Sequence, residues 1–275
     1  MPIEPIDDPA DPRVADYRDI KDAELRRRRG LFVAESRAVV RRLLTSARLR
    51  PRSVLLTAPA LESLGSALHG ADASVPVYLA SPEVARAVVG FNFHHGCLAL
   101  GDRGAEPPLE SLVAPPGPRL LVAVEDVSNP DNVGGVFRNA LAFGADAILL
   151  SAGCADPLYR KTIRVSMGAS LVTPFAHLAD WKAGLARLRA AAYTIVALTP
   201  DPSALDIALL GAATPLPRRV AIFLGAEGPG LRAETRAAAD LKVCIAMAPG
   251  VDSLNVATAA AIALHRLRSA VPSPL

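Results

Sequence analysis

Beyond residue 118 the chain repeats one alternation. Nearly continuous apolar runs at 120–125, 147–151, 194–199, 220–225 and 242–246 are separated by longer segments whose apolar positions recur every three or four residues. Runs that are apolar at every position suit strands of a parallel sheet covered on both faces. The spacing therefore predicts five strands, with helices over 132–143, 158–168, 180–192, 231–239 and 254–268: a doubly wound α/β domain. The last helix is the plainest, with Val256, Ala260, Ala263, Leu264 and Leu267 forming one buried stripe.

The front of the chain alternates on a smaller scale. Tyr17 to Arg29 reads as a short charged helix and Leu31 to Ala34 as a strand. Glu35 to Arg48 reads as an amphipathic helix with Arg37, Arg41, Arg42 and Arg48 outside its apolar stripe. Strands at 53–56, 77–79 and 97–100 alternate with helices over 59–69 and 82–89. The pattern predicts a small α/β domain over 17–101, preceded by a loose, Pro-rich tail over 1–16. Five prolines and two glycines within 102–118 mark a linker, after which the second domain fills 119–275.

Composition adds a core and removes several classes of protein. The chain is 51% hydrophobic, yet no apolar run approaches the ~20 residues that a membrane-spanning helix needs. The acidic first residues lack the basic-then-apolar order of a signal peptide. Cys97, Cys154 and Cys244 are scattered without metal-ligand spacing, so they read as small buried hydrophobes. A cytoplasmic protein with no membrane partner and no metal is expected. The net charge of +3 hides a segregation: residues 21–52 carry eleven basic and three acidic side chains, including Arg26, Arg27, Arg28 and Arg29 in a row. Such a window, with Arg37 and Arg41 on the following helix, fits a polyanion partner. It fits a solvated helix face equally well.

Open parallel sheets bind ligands outside the carboxyl ends of their strands, so three turns carry the chemistry. The first runs from Glu125 to Arg138 and contains Asn132-Val133-Gly134. It has neither the glycine fingerprint of dinucleotide sites nor a P-loop lysine. The second, Leu224-Gly225-Ala226-Glu227-Gly228-Pro229-Gly230-Leu231, sets three glycines around one carboxylate and allows close approach to backbone. The third runs from Ile245 through Met247 and Pro249-Gly250 to Ser253-Leu254-Asn255, where Ser or Asn could simply cap the last helix.

Together the three turns resemble the three motifs of the SpoU/TrmH branch of the SPOUT methyltransferases, in order and spacing, over roughly 119–268. Two positions depart from the family pattern: Ala246 stands where Pro is common, and Ala257-Thr258 where Ser follows the Ser-Leu-Asn-Val run. Residues 17–101 also look like the L30e-like substrate-binding domain found ahead of the catalytic domain in many members. The resemblance implies methylation of a ribose 2′-hydroxyl in RNA, rRNA somewhat favoured over tRNA, with S-adenosylmethionine as donor. It also implies a deep carboxy-terminal trefoil knot and a homodimer formed through that domain. By family position, Thr199, Leu224, Gly225, Ile245, Met247 and Leu254 would bind the cofactor. Arg138, Asn132, Glu227, Ser253 and Asn255 would serve catalysis. A guanidinium with pKa above about 12 keeps its proton, so Arg138 is expected to orient the hydroxyl or a neighbouring phosphate. The Arg26–Arg29 run with Arg37 and Arg41 would bind RNA. The alternative is a catalytically silent RNA-binding or ribosome-associated protein that keeps the fold.

Overall fold

The computed structural model describes residues 1–18, 29–91, 93–116, 119–210 and 217–268. These fall into two compact units, Met1–Ala105 with Pro157–Val172, and Glu106–Asp156 with Thr173–Leu275. Among the described residues no helix is long and apolar enough to cross a membrane.

The amino-terminal unit contains β1 (Ile3–Ile6), β2 (Leu31–Glu35), α1 (Arg37–Leu44), β3 (Arg50–Leu56), α2 (Ala58–Gly70), β4 (Val77–Ala80), α3 (Pro82–Val89) and β5 (Cys97–Asp102). Its sheet runs β1-β4-β3-β5-β2, with β5 antiparallel to both neighbours and the other pairs parallel. The strands and helices expected between residues 31 and 100 are present. The loose tail is not. Ile3–Ile6 pair in register with Val77–Ala80, and Pro12–Tyr17 form a 3-10 helix that buries Val14 and Tyr17. The Tyr17 hydroxyl lies 2.7 Å from Ser53 Oγ. Proline density misled because Pro is tolerated on an edge strand and at the first position of a helix, which is where Pro5 and Pro12 stand. The charged helix expected from Tyr17 to Arg29 falls mostly outside the described residues.

The second unit opens with α4 (Leu109–Val113), β6 (Arg119–Glu125), α5 (Pro130–Ala142) and β7 (Ala147–Ser151). The expected linker over 102–118 is thus partly structured, since Leu109, Leu112 and Val113 join the hydrophobic core. The chain then passes through α6 (Arg160–Val165) and α7 (Ala169–Val172), which pack with the amino-terminal unit. There Arg160 pairs with Glu35 at 2.8 Å and lies 4.1 Å above the Phe91 ring. The single helix expected over 158–168 ends at Val165, where Met167 and Gly168 take positive φ of 53° and 77°. The chain returns as β8 (Phe175–Leu178), α8 (Trp181–Ala190), β9 (Thr194–Leu198), β10 (Leu205–Asp206), β11 (Arg219–Gly225), α9 (Ala233–Ala238), β12 (Leu241–Cys244) and α10 (Val256–Arg268).

These strands form one seven-stranded sheet, β10-β12-β9-β11-β6-β7-β8, parallel throughout. This is the expected α/β architecture, extended by the short strands β8 and β10. Side chains such as Leu121, Ile148, Ile195 and Phe223 fill its core. The helices α5 and α10 approach closely: a Cβ on Gly135 would lie 2.5 Å from the Ala257 Cβ, and Asn139 Nδ2 donates to the Ala257 carbonyl at 2.7 Å.

Candidate active site

Parallel strands present their carboxyl ends along one edge, so the loops leaving β12, β9, β11 and β6 meet there. The first three of these enclose a cavity of about 410 Å³, within the size range of small-molecule sites. Its walls come from Leu198, Thr199 and Pro200 at the end of β9, from Leu224 to Gly228 with Gly230 at the end of β11, and from Ile245, Met247 and Asp252 to Leu254 after β12; Val256 and Ala259 of α10 complete it. All six positions singled out for the cofactor lie on these walls. Sequence reasoning missed Pro200, Asp252 and Ala259, which adjoin the motifs and carry no signal of their own.

The loop after β11 has no room to spare. A Cβ on Gly225 would sit 2.2 Å from the Gly230 carbonyl carbon and 2.3 Å from the Leu231 nitrogen, so only glycine fits. The loop closes on itself through the Gly230 amide, which donates to the Ala226 carbonyl at 3.0 Å. Gly228 and Gly230 take positive φ of 83° and 66°, a region that side chains other than Gly seldom occupy.

Three motif residues meet at one side chain. Asn255 Nδ2 donates to Asn132 Oδ1 at 2.8 Å and to Glu227 Oε1 at 2.7 Å. Asn255 Oδ1 accepts from the amides of Ala257 and Thr258 at 3.0 and 3.3 Å, satisfying two of the otherwise unpaired donors at the start of α10. The helix cap expected of Ser or Asn therefore belongs to Asn255; Ser253 is exposed and lines the cavity. Asn132 is buried in the first turn of α5.

Arg138 stands apart. It is exposed on α5, lines no part of the cavity, and makes no ion pair among the described residues. Of the expected RNA contacts, Arg26, Arg27 and Arg28 lie outside the described residues. Arg29 is exposed and paired with Asp16. Arg37 opens α1 and is exposed, and Arg41 Nη2 donates to the Ser63 carbonyl at 2.8 Å. The cysteines are free, with Cys97 and Cys244 buried and Cys154 half-buried. Burial pushes the Cys97 thiol up to about 12 and also raises those of Cys154 and Cys244.

Residues 119–265 match the model of the SpoU rRNA methylase family. The chain belongs to that family. It is 40% identical over 274 residues to an uncharacterized tRNA/rRNA methyltransferase of Mycobacterium tuberculosis, covering 98% of this chain and 93% of that one. A 23S rRNA (guanosine-2′-O-)-methyltransferase of Ralstonia nicotianae is 29% identical over 209 residues, 73% of this chain and 81% of the relative. Among solved structures, an AdoMet-bound rRNA methyltransferase from Sinorhizobium meliloti superposes with a TM-score of 0.81 at 23% identity, covering 98% of this chain and 99% of that one. The fold is thus shared along nearly the whole length.

Proposed function

We propose that this SpoU-family chain transfers the methyl group of S-adenosylmethionine to a ribose 2′-hydroxyl of RNA, with ribosomal RNA the favoured substrate. The observation that carries the proposal is Asn255, which joins Asn132 of the first motif to Glu227 of the second beside the cavity. The cavity suits the methyl donor. Leu198, Leu224, Ile245 and Leu254 offer apolar surface for an adenine ring, Gly225 keeps backbone open, and Glu227 and Asp252 supply negative charge with no Lys or Arg among the lining residues. Thr199, Leu224, Gly225, Ile245, Met247 and Leu254 would hold the donor, which supplies an electrophilic sulfonium methyl group when bound.

The chain's own residues supply alignment, which accounts for much of the rate of such displacements. Asn255 fixes Asn132 and Glu227 relative to the first turn of α10, so the three cannot drift separately. Arg138 orients the ribose hydroxyl or a neighbouring phosphate as a donor, and Ser253 contributes a hydroxyl from the cavity wall. The exposure of Arg138 outside its own chain's cavity supports a homodimer in which it serves the partner's site. The exposed Leu141 of α5 and Ile262 of α10 support an interface on those helices. The convergence of the β9, β11 and β12 loops on one cavity agrees with a carboxy-terminal trefoil knot, a rare exception to unknotted topology. The amino-terminal unit, with Arg37 and Arg41 exposed, serves as the L30e-like RNA-binding domain, and an RNA substrate of this kind places the protein in the cytoplasm.

Two measurements test the reading together. Titration calorimetry with S-adenosylmethionine should give a saturable heat, and tritium from its methyl group should appear in RNA from cells lacking the gene. RNA binding without any heat from S-adenosylmethionine would establish the silent RNA-binding protein instead.

A further inference from the structure

The sheet edge beneath the cavity carries a polar network that the proposed chemistry does not use. Glu125, the last residue of β6, is fully buried. A carboxylate is costly to bury unless its oxygens are satisfied, and here both are. Oε2 accepts from the backbone amide of Arg232 at 2.9 Å, and Oε1 accepts from the Thr235 hydroxyl at 2.8 Å. Thr235 Oγ1 accepts in turn from Trp181 Nε1 at 3.1 Å.

The next residue, Asp126, takes a positive φ of 56°. Its amide donates to Ser151 Oγ at 2.8 Å, and the Ser151 hydroxyl donates back to Oδ1 at 2.9 Å. Oδ2 pairs with Arg232 Nη2 at 2.6 Å. Arg232 is thus held twice, by its backbone on Glu125 and by its guanidinium on Asp126. It also directly follows the Gly225–Leu231 loop, whose other end is fixed because Gly225 pairs with Glu125 in the β11–β6 ladder. Both ends of the loop that carries Glu227 therefore rest on one acidic pair.

We propose that Glu125 and Asp126 are positioning residues that clamp the Gly225–Leu231 loop through Arg232, holding Glu227 on Asn255 and one wall of the cavity in place. The assignment rests on the reading of that site as the methyl-transfer centre. Glu125→Gln can still accept from the Arg232 amide while its own amide turns to the Thr235 hydroxyl, but the charge-assisted bond becomes a neutral one of about half the strength, so the anchor is weakened without a change of volume. Asp126→Asn, at a position one-third exposed, weakens the other anchor without burying an unpaired group.

The experiment reads the loop first and the chemistry second. In the protein without cofactor, Glu125→Gln should speed hydrogen exchange of the 226–232 amides about tenfold or more, while β6 and β7 amides stay protected. Methyl-transfer kcat/KM should fall about tenfold to a hundredfold, as misplacement of a catalytic group does. In a Glu227→Gln background the same change should cost less than about threefold, because groups acting through one another are non-additive. A merely structural contribution would instead reduce the rate by the same factor in both backgrounds, and that result overturns the assignment. So does unchanged exchange in the loop. Should Glu125→Gln fail to fold, Asp126→Asn carries the test, with faster loop exchange expected and unchanged exchange refuting. A wild-type chain that transfers no methyl group refutes the function alone and leaves the exchange measurement to decide the clamp.

Discussion

Replacing Asn255 separates its two jobs. Asn255→Ala removes the cap of α10, worth about 1 kcal/mol. It also takes the donor from the buried Asn132 Oδ1, and an unsatisfied buried acceptor costs about 1–3 kcal/mol. Together the Ala variant should lose about 2–4 kcal/mol. Asn255→Asp keeps the cap oxygen but sets a carboxylate where Nδ2 now lies 2.7 Å from Glu227 Oε1. Two unit charges at that distance repel by about 6 kcal/mol at an effective dielectric of about 20. The introduced carboxylate and Glu227 will therefore share a proton in the folded chain at a pH where the unfolded chain has released it. A folded pKa raised in this way contributes stability that is present in acid and lost as pH rises, at up to about 1.4 kcal/mol per pH unit. Urea unfolding followed at Trp181, the only tryptophan, reports the unit that holds the site. At pH 5 the Asp variant should be more stable than the Ala variant, and by pH 8 its deficit against wild type should have grown by about 1 kcal/mol or more. An Ala variant within about 0.5 kcal/mol of wild type, or an Asp variant with a pH-independent deficit, would refute the bridging role of Asn255.

Gly225→Ala forces a Cβ into the Gly230–Leu231 backbone; it should abolish measurable S-adenosylmethionine binding by calorimetry and cost about 1–3 kcal/mol of stability as an overpacked site. Arg138→Ala should eliminate methyl transfer while leaving the melting curve and cofactor affinity unchanged, since the side chain is exposed and outside the cavity; a retained rate removes it from the mechanism. Arg37→Glu with Arg41→Glu should weaken RNA binding and lower the slope of log K against log salt by about 2 in filter-binding titrations, without altering cofactor affinity; an unchanged slope would make this helix a solvated face.

The parallel sheet was legible because a doubly covered strand admits no polar alternation, and the runs ending at Glu125, Ser151 and Gly225 are apolar almost throughout. β1 escaped because Pro2 and Pro5 suppress a strand reading, although an edge strand needs only half its hydrogen bonds. α4 escaped for a similar reason: Leu109, Leu112 and Val113 have helical spacing, but the surrounding prolines mask it. No local pattern says that 160–172 pack with the amino-terminal unit, since a chain that leaves a domain and returns keeps the same residue types. In the site, Gly225 and the lining positions follow from motif spacing. The bond from Asn255 to Asn132 spans 123 residues and is visible only once α5 and α10 are packed together. Periodicity gave Ser253 and Asn255 equal standing as caps, and only hydrogen-bond geometry separates them. The clamp at Glu125 did leave a trace, a carboxylate ending an otherwise apolar strand.

The most direct test of the central claim is the location of the transferred methyl group. RNA labelled by the purified chain with methyl-tritiated S-adenosylmethionine is hydrolysed in alkali, which cleaves after every free 2′-hydroxyl. The account predicts label in an alkali-resistant dinucleotide at a defined site, and none when Asn255→Ala replaces the wild-type chain. Label recovered in mononucleotides would place the methyl group on a base and contradict the assignment of ribose methylation.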